Sequence, residues 1–290
     1  MSTYDPEQTG NYYPLGDSHP EMVQLIDSDR YFTRSMGGLL PEQPDRVLAR
    51  VHDVVDIACG PGGWVLSMAE AFPDMQVTGL DISQGMIDYA RVLARTSQLE
   101  NVHFQVGNAI DPLPWPDASF DLVNARQIEG AIPTASWSPL LIEMARITKP
   151  GGIIRLTGNE WGITNSPAYE TFMEQTLQGL QKFGLNHAPD TRSFGITTML
   201  SRYLRDVGCV NVQERLSFLD FSAGAPQHQD GYSLNMIAAE LSEAFRLAAG
   251  ITTQAAYNEL KRRLSLEMAE DSFRGIIYTM TAWGQKPDLQ

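Results

Sequence analysis

Two cysteines in 290 residues, Cys59 and Cys209, are too few for a disulfide framework and point to a reducing compartment, the cytoplasm. Basic residues are scarce as well: 21 Lys and Arg face 35 Asp and Glu, a net charge of −14. Polyanions are held by clustered Lys and Arg, so nucleic acid and anionic membranes are poor partners. The one basic cluster, Lys261-Arg262-Arg263, is flanked by Glu259 and Glu267 and reads as a solvated helix face. No apolar run is long enough to cross a bilayer, and residues 1–16 are polar and acidic rather than signal-like. Repeats and low-complexity tracts are missing. His228 and Asp230 form a loop pair, but two ligands do not make a metal site, so no metal is expected.

What the chain does have is a glycine turn at the end of a β-branched run: Val54-Val55-Asp56-Ile57-Ala58-Cys59-Gly60-Pro61-Gly62-Gly63. A helical pattern follows from Trp64 to Ala71. Strand, tight turn and helix form the opening unit of a doubly wound α/β fold. Glycine lets backbone approach a ligand closely. A second strand, Gln76 to Leu80, ends in Asp81, where a carboxylate is placed to accept from both hydroxyls of a ribose. A dinucleotide loop would need Gly-x-Gly-x-x-Gly; counted from Gly60, the third glycine falls on Val65, so that fingerprint is not met.

Strands and helices then alternate. Val102–Val106, Phe120–Asn124 and Gly152–Gly158 read as further strands. Ser83 is placed to cap a helix carrying Met86, Ile87, Ala90, Leu93 and Ala94, and Ser138-Pro139 to open another. Later strands fall at Val212–Phe221 and Ile276–Gly284, with helices around 166–183, 197–207 and 230–272. The expected fold class is α/β, a doubly wound, Rossmann-like seven-stranded sheet with a helical lid. The expected organisation is an N-terminal arm and lid helix at 1–44, a cofactor-binding core at 45–160 and a lid segment at 161–192. The C-terminal part of the core follows at 193–229, a helical lid insertion at 230–272, and the final strand at 273–290. Aromatic and Met side chains crowd these lid segments, among them Tyr12, Tyr13, Phe172 and Met236.

The pattern Asp-x-x-Cys-Gly-x-Gly-Gly at Asp56 to Gly63, with Asp81 downstream, resembles the class I S-adenosylmethionine (SAM)-dependent methyltransferases. The likeness continues through Val106-Gly107-Asn108-Ala109, Leu113 to Val123 and Lys149-Pro150-Gly151-Gly152, and covers residues 45 to 160. It extends to quinone-pathway and natural-product members, and the long lid favours the latter. The resemblance implies SAM as cofactor and S-adenosylhomocysteine as product. It implies that Asp56, Ala58, Gly60 and Gly62 hold the methionine end, with alanine at 58 admissible only at negative φ. It assigns Asp81 to the ribose, Ile82 and Met86 to the adenine face, and Asn108 and Ala109 to the adenine edge. Arg126 lines the place where cofactor meets acceptor, or is a structural ion-pair partner; Tyr31 is a cofactor clamp or an ordinary arm aromatic.

Sulfonium methyl transfer is an in-line displacement, so alignment and water exclusion are the main tasks, with a base needed only when the acceptor loses a proton. His187 and Glu129 are the candidate catalytic groups, His187 also reading as a surface-loop histidine. Gln127, Trp161 and Tyr257 are the candidate acceptor contacts. The partner expected is a small, apolar or aromatic molecule, with a homodimer left open. A SAM-binding partner or sensor without catalysis is the competing reading.

Overall fold

The computed structural model describes residue 13 and residues 18–288. Its strands are β1 Asp53–Ile57, β2 Gln76–Asp81, β3 Val102–Val106, β4 Phe120–Arg126, β5 Thr148–Thr164, β6 Val210–Asp220 and β7 Gly275–Gln285. They form one sheet in the order β3-β2-β1-β4-β5-β7-β6. The first five pair in parallel, and β7 runs antiparallel to both β5 and β6. Besides a single turn at Asp45–Leu48, the helices among the described residues are α1 His19–Met36, α2 Gly63–Ala71, α3 Gln84–Thr96, α4 Trp137–Ile147, α5 Pro167–Lys182, α6 Leu200–Asp206, α7 His228–Leu241, α8 Glu243–Ala248 and α9 Gln254–Met268. The α/β class and the seven-stranded Rossmann-like sheet are as the alternation implied.

Period-2 alternation explains why both sheet faces are covered. Val54, Leu122 and Ile153 turn to one face and pack with Trp64, Val65 and Met68. Their neighbours Val55, Val123 and Ile154 turn to the other, against Leu140, Met144 and Ile147 of α4. Val54 and Val55 are both fully buried, which stabilises by about 1.5–3 kcal/mol each.

A third core packs against the last two strands of the sheet, on Leu219 of β6 and Ile277 of β7. Tyr31 of α1, Tyr169 and Phe172 of α5, Phe221, and Tyr257 and Leu264 of α9 pack together. All three stretches assigned to the lid thus contribute to one apolar cluster. Arg246 is fully buried there; it donates to the Phe172 carbonyl at 3.1 Å and to Thr176 Oγ1 at 2.6 Å, tying α8 to α5. Its guanidinium lies 4.2 Å from the centre of the Phe172 ring. The basic run is a charged helix face, with Lys261 on Glu240 and Glu243, Arg262 on Glu259 and Arg263 on Glu267.

Boundaries differ where tertiary pairing overrides local signals. β5 runs six residues past Gly158 because β7 pairs with it as far as Thr164↔Gly275, across a register shift between Glu160 and Ile163. Trp161, expected to open the lid segment at 161–192, therefore stands on a sheet strand. Ser138 is not the cap of α4: a 3-10 turn at Thr134–Ser136 starts the helix early, at Trp137. The expected caps at Ser83 and Ser166 do form, accepting from the backbone N–H of Met86 and Tyr169.

Gly231 lies in the lid core, in the first turns of α7. A Cβ there would stand 2.6 Å from Phe221 Cβ and 2.7 Å from Tyr31 Oη. Helix propensity alone would make Gly231→Ala stabilising by about 1 kcal/mol. Overpacking reverses the sign: urea denaturation should show a loss of about 1–3 kcal/mol.

Candidate active site

The carboxyl ends of β1, β2, β3 and β4 open into one cavity of about 1090 Å³, counting the space continuous with solvent. Open parallel sheets bind ligands at this edge. The loop after β1 forms its floor. Gly60 and Gly62 have φ of 54° and 81°. Gly62 admits no other residue, since a Cβ would stand 2.8 Å from the Phe104 ring. Gly60 lines the cavity, whereas Gly62 sets the entry of α2 from outside it. Ala58 departs from expectation: its φ is +56°, in the left-handed region. The turn that aims the Cys59 and Gly60 amides dictates this, and the side chain bears the strain. Cys59 lines the cavity, but burial pushes its thiol pKa well up, so it stays a neutral thiol.

Asp81 ends β2. One carboxylate oxygen accepts from the Gly60 N–H at 2.8 Å and the other from the Ser83 N–H at 2.9 Å. These bonds fix the carboxylate against both the glycine turn and the start of α3. Ile82, Met86, Ala109 and Ile110 supply apolar wall, and Asn108 joins them with its Oδ1 accepting from the Ile110 N–H at 3.2 Å.

Asp56 faces the cavity from β1 and is the end of a buried polar chain. Asn124 donates to Asp56 Oδ1 at 2.7 Å, Arg155 donates to Asn124 Oδ1 at 2.9 Å, and Arg155 pairs with Glu42 at 2.7 Å. Arg155 and Asn124 are fully buried. Burial pushes the Asp56 pKa up to about 7, against the pull of Arg126, Asn124 and Arg155. Beside it, Arg126 is only 7% exposed; it pairs with Asp29 of α1 at 3.0 Å and donates to Thr33 Oγ1 at 3.1 Å. Arg126 is thus a cavity residue and an ion-pair partner at once.

Sequence reasoning missed Asp29 and Leu25, which α1 brings to the cavity roof, and the apolar wall Ile128, Ala131 and Ile132. The i, i+4 spacing of Leu25 and Asp29 was the only available signal. The arm aromatic at the cavity is Tyr13, not Tyr31. Tyr31 is 2% exposed and packed in the lid core, edge-on to Phe32, so its assignment as a cofactor clamp is corrected. Tyr12 lies outside the described residues.

Gln127 is the one proposed acceptor contact that lines the cavity. Tyr257 does not: it is fully buried in the lid core, its hydroxyl donating to the Ala239 carbonyl at 2.6 Å. Trp161 stacks on Phe194 at 5.4 Å and is also absent from the cavity wall. His187 is corrected as well. Its ring packs edge-on to Trp137 at 5.3 Å, neither nitrogen has a partner, and burial lowers its pKa to about 4. Glu129 follows Ile128 in the chain but is absent from the cavity wall; it is 5% exposed, with one oxygen accepting from the Asn159 N–H at 3.1 Å and the other unpartnered. Burial pushes its pKa up to about 7. Glu160 holds the loop that carries Phe194 and Thr197. His228 binds the Phe221 carbonyl and Asp230 pairs with Arg34. Among the described residues no three His, Cys, Asp or Glu side chains group as metal ligands, and no helix is long and apolar enough to span a membrane.

The architecture is therefore a Rossmann-like sheet with a ligand cavity at its carboxyl edge. Residues 54–152 match the methyltransferase domain family. The demethylmenaquinone methyltransferase of Listeria welshimeri is 40% identical over 101 residues, and that of Geobacillus stearothermophilus is 39% identical over 100. These alignments cover 34% of this chain and 42% of either relative, so less than half of those proteins is matched. The YcgJ protein of Bacillus subtilis shares the fold, with a TM-score of 0.53 and 17% identity over 88% of this chain and 99% of that one.

Two measurements test this geometry. Left-handed alanine costs about 1–2 kcal/mol, and glycine returns about 0.5–1 of that as unfolded-state entropy. Ala58→Gly should therefore raise stability by about 0.5–1 kcal/mol in urea denaturation. The raised pKa of Asp56 means that the native state holds a proton that the unfolded chain has released. That contribution is full below pH about 4 and is lost as pH rises through about 7. Asp56→Asn removes the titration, so its stability relative to the parent chain should climb between pH 5.5 and 8; a constant difference would refute the assignment.

Proposed function

We propose that the chain is a SAM-dependent methyltransferase acting on a small, apolar or aromatic molecule. Asp81 carries this reading: its carboxylate ends β2 at the cavity wall and is braced there by the glycine turn and the start of α3. Asp56 would then meet the ammonium of the methionine end, and Ile82, Met86, Ala109 and Asn108 the adenine; all five line the cavity. When bound, SAM supplies an electrophilic methyl on a sulfonium. The chain's own part is to align the acceptor and keep water out. α1 and Tyr13 roof the cavity, and Ile128, Ala131 and Ile132 make its acceptor end apolar, as a small aromatic guest requires. The relatives named demethylmenaquinone methyltransferases support an aromatic acceptor.

No imidazole reaches the cavity, so His187 is not the base in this reading. Glu129, next to the cavity residue Ile128 in the chain though not itself in the lining, is the candidate that remains, with a pKa of about 7 and one unpartnered oxygen. The free thiols Cys59 and Cys209 support a reducing compartment such as the cytoplasm, and the large lid supports a secondary-metabolic acceptor.

Asp81→Ala should weaken S-adenosylhomocysteine binding, since charge-assisted hydrogen bonds contribute about 1.5–3 kcal/mol each. Titration calorimetry on the folded variant reads this directly, and unchanged affinity would falsify the ribose assignment. Methyl transfer to any acceptor in a metabolite extract separates an enzyme from a non-catalytic binder.

A further inference from the structure

Four charged side chains line the cavity among the described residues: the carboxylates of Asp29, Asp56 and Asp81 and the guanidinium of Arg126. The segment ahead of α1 has no basic side chain to add, since Arg30 is the first Lys or Arg in the chain. Arg155, behind Asp56, is engaged by Glu42 at 2.7 Å. The N-termini of α2 and α3 offer partial charges that fade within a turn. The wall therefore carries an excess of negative charge. Two of its neutral groups register that field. Burial, then the charges of Asp81 and Asp56, raise the pKa of the Cys59 thiol; burial, then Glu21 and Asp81, raise that of Tyr13.

The sign of the balance depends on Asp29. Its Oδ1 lies 3.0 Å from Arg126 and cancels the one guanidinium in the wall. The fold reserves its place: a Cβ on Gly63, the first residue of α2, would stand 3.1 Å from Asp29 Cβ and 3.2 Å from its Oδ2. Burial pushes the Asp29 pKa up, while Arg126 pulls it back and the start of α2 favours the ionised form. With Asp29 in place, Asp56 and Asp81 set the field of the cavity. Without it, Arg126 would oppose any cation that enters.

Building on the methyltransferase reading, we infer that the cavity tells the methyl donor from its product by charge, and that Asp29 of α1 makes this possible by cancelling Arg126. SAM has a sulfonium and a net charge of about +1 near neutral pH; S-adenosylhomocysteine has a neutral sulfide and no net charge. The two differ by one methyl group and that charge. A unit charge about 10 Å away, at an effective dielectric of about 20, changes the binding of a cation roughly tenfold. A negative wall therefore holds SAM and relaxes its hold on the product once the sulfonium is gone. Asp29 is a positioning residue here, acting through Arg126.

The test is titration calorimetry of SAM and of S-adenosylhomocysteine into the full chain with no acceptor present. The parent should bind SAM about tenfold more tightly than the product. Asp29→Asn unmasks Arg126 and should lower that ratio about tenfold, with the loss falling on SAM. Asp29→Asn combined with Arg126→Gln should restore the ratio. Arg126→Gln alone should raise it above the parent's, a readout that stands even if Asp29→Asn fails to fold. A parent that prefers the product, or binds both alike, overturns the inference. So does an Asp29→Asn variant that loses both ligands equally, which would make Asp29 a structural anchor of α1, or a double variant that restores nothing. A parent that binds neither ligand sinks the methyltransferase reading itself, a separate and recognisable failure.

Discussion

A buried line of charge and amide, Glu42 to Arg155 to Asn124 to Asp56, crosses the central strands and reaches the cavity at Asp56. Removing one partner from such a chain leaves an uncompensated group in low dielectric, which is strongly destabilising. Every member is therefore constrained by the next, and Asp56 cannot turn away from the cavity. Arg155 is on β5 and Asn124 on β4, so the central strands themselves carry the fixture. The raised pKa of Asp56 follows from the same burial. A cationic ligand group beside it would favour the ionised form.

α1 has two jobs that the sheet does not share. Leu25 and Asp29 face the cavity, and Tyr31 is sunk in the lid core. The Asp29–Arg126 pair links the helix to β4, and the capping interaction of the Ser18 N–H with Glu21 helps to start it. α1 thus joins the cavity wall to the aromatic cluster around Phe221 and Tyr257, neither of which lines the cavity.

The parts legible in the sequence were those in which cause and effect lie close together along the chain. Asp81 and Ser83 are two residues apart, and the hydrogen bond between them is local. The strand-turn-helix at Val54 to Ala71 needs only periodicity and glycine. What escaped was set by distant partners. Asp29 meets Arg126 across 97 positions, and Arg155 meets Glu42 across 113. The φ of Ala58 is imposed by a turn that no propensity reports. His187 misled because its neighbours Asn186 and Asp190 are polar, whereas its ring turns inward beneath Trp137. Tyr31 and Tyr13 show the same limit: aromatic character is visible, but the direction a side chain takes is not.

The length of β5 bears on how such proteins can be recombined. Similarity to the demethylmenaquinone methyltransferases covers about a third of the chain, which invites grafting a foreign cap onto a conserved base. A junction at Glu160 would sever a strand whose register with β7 continues to Thr164. The workable splice lies at Asn165, before Ser166 caps α5, and a donor module would have to bring its own version of β7 to meet it.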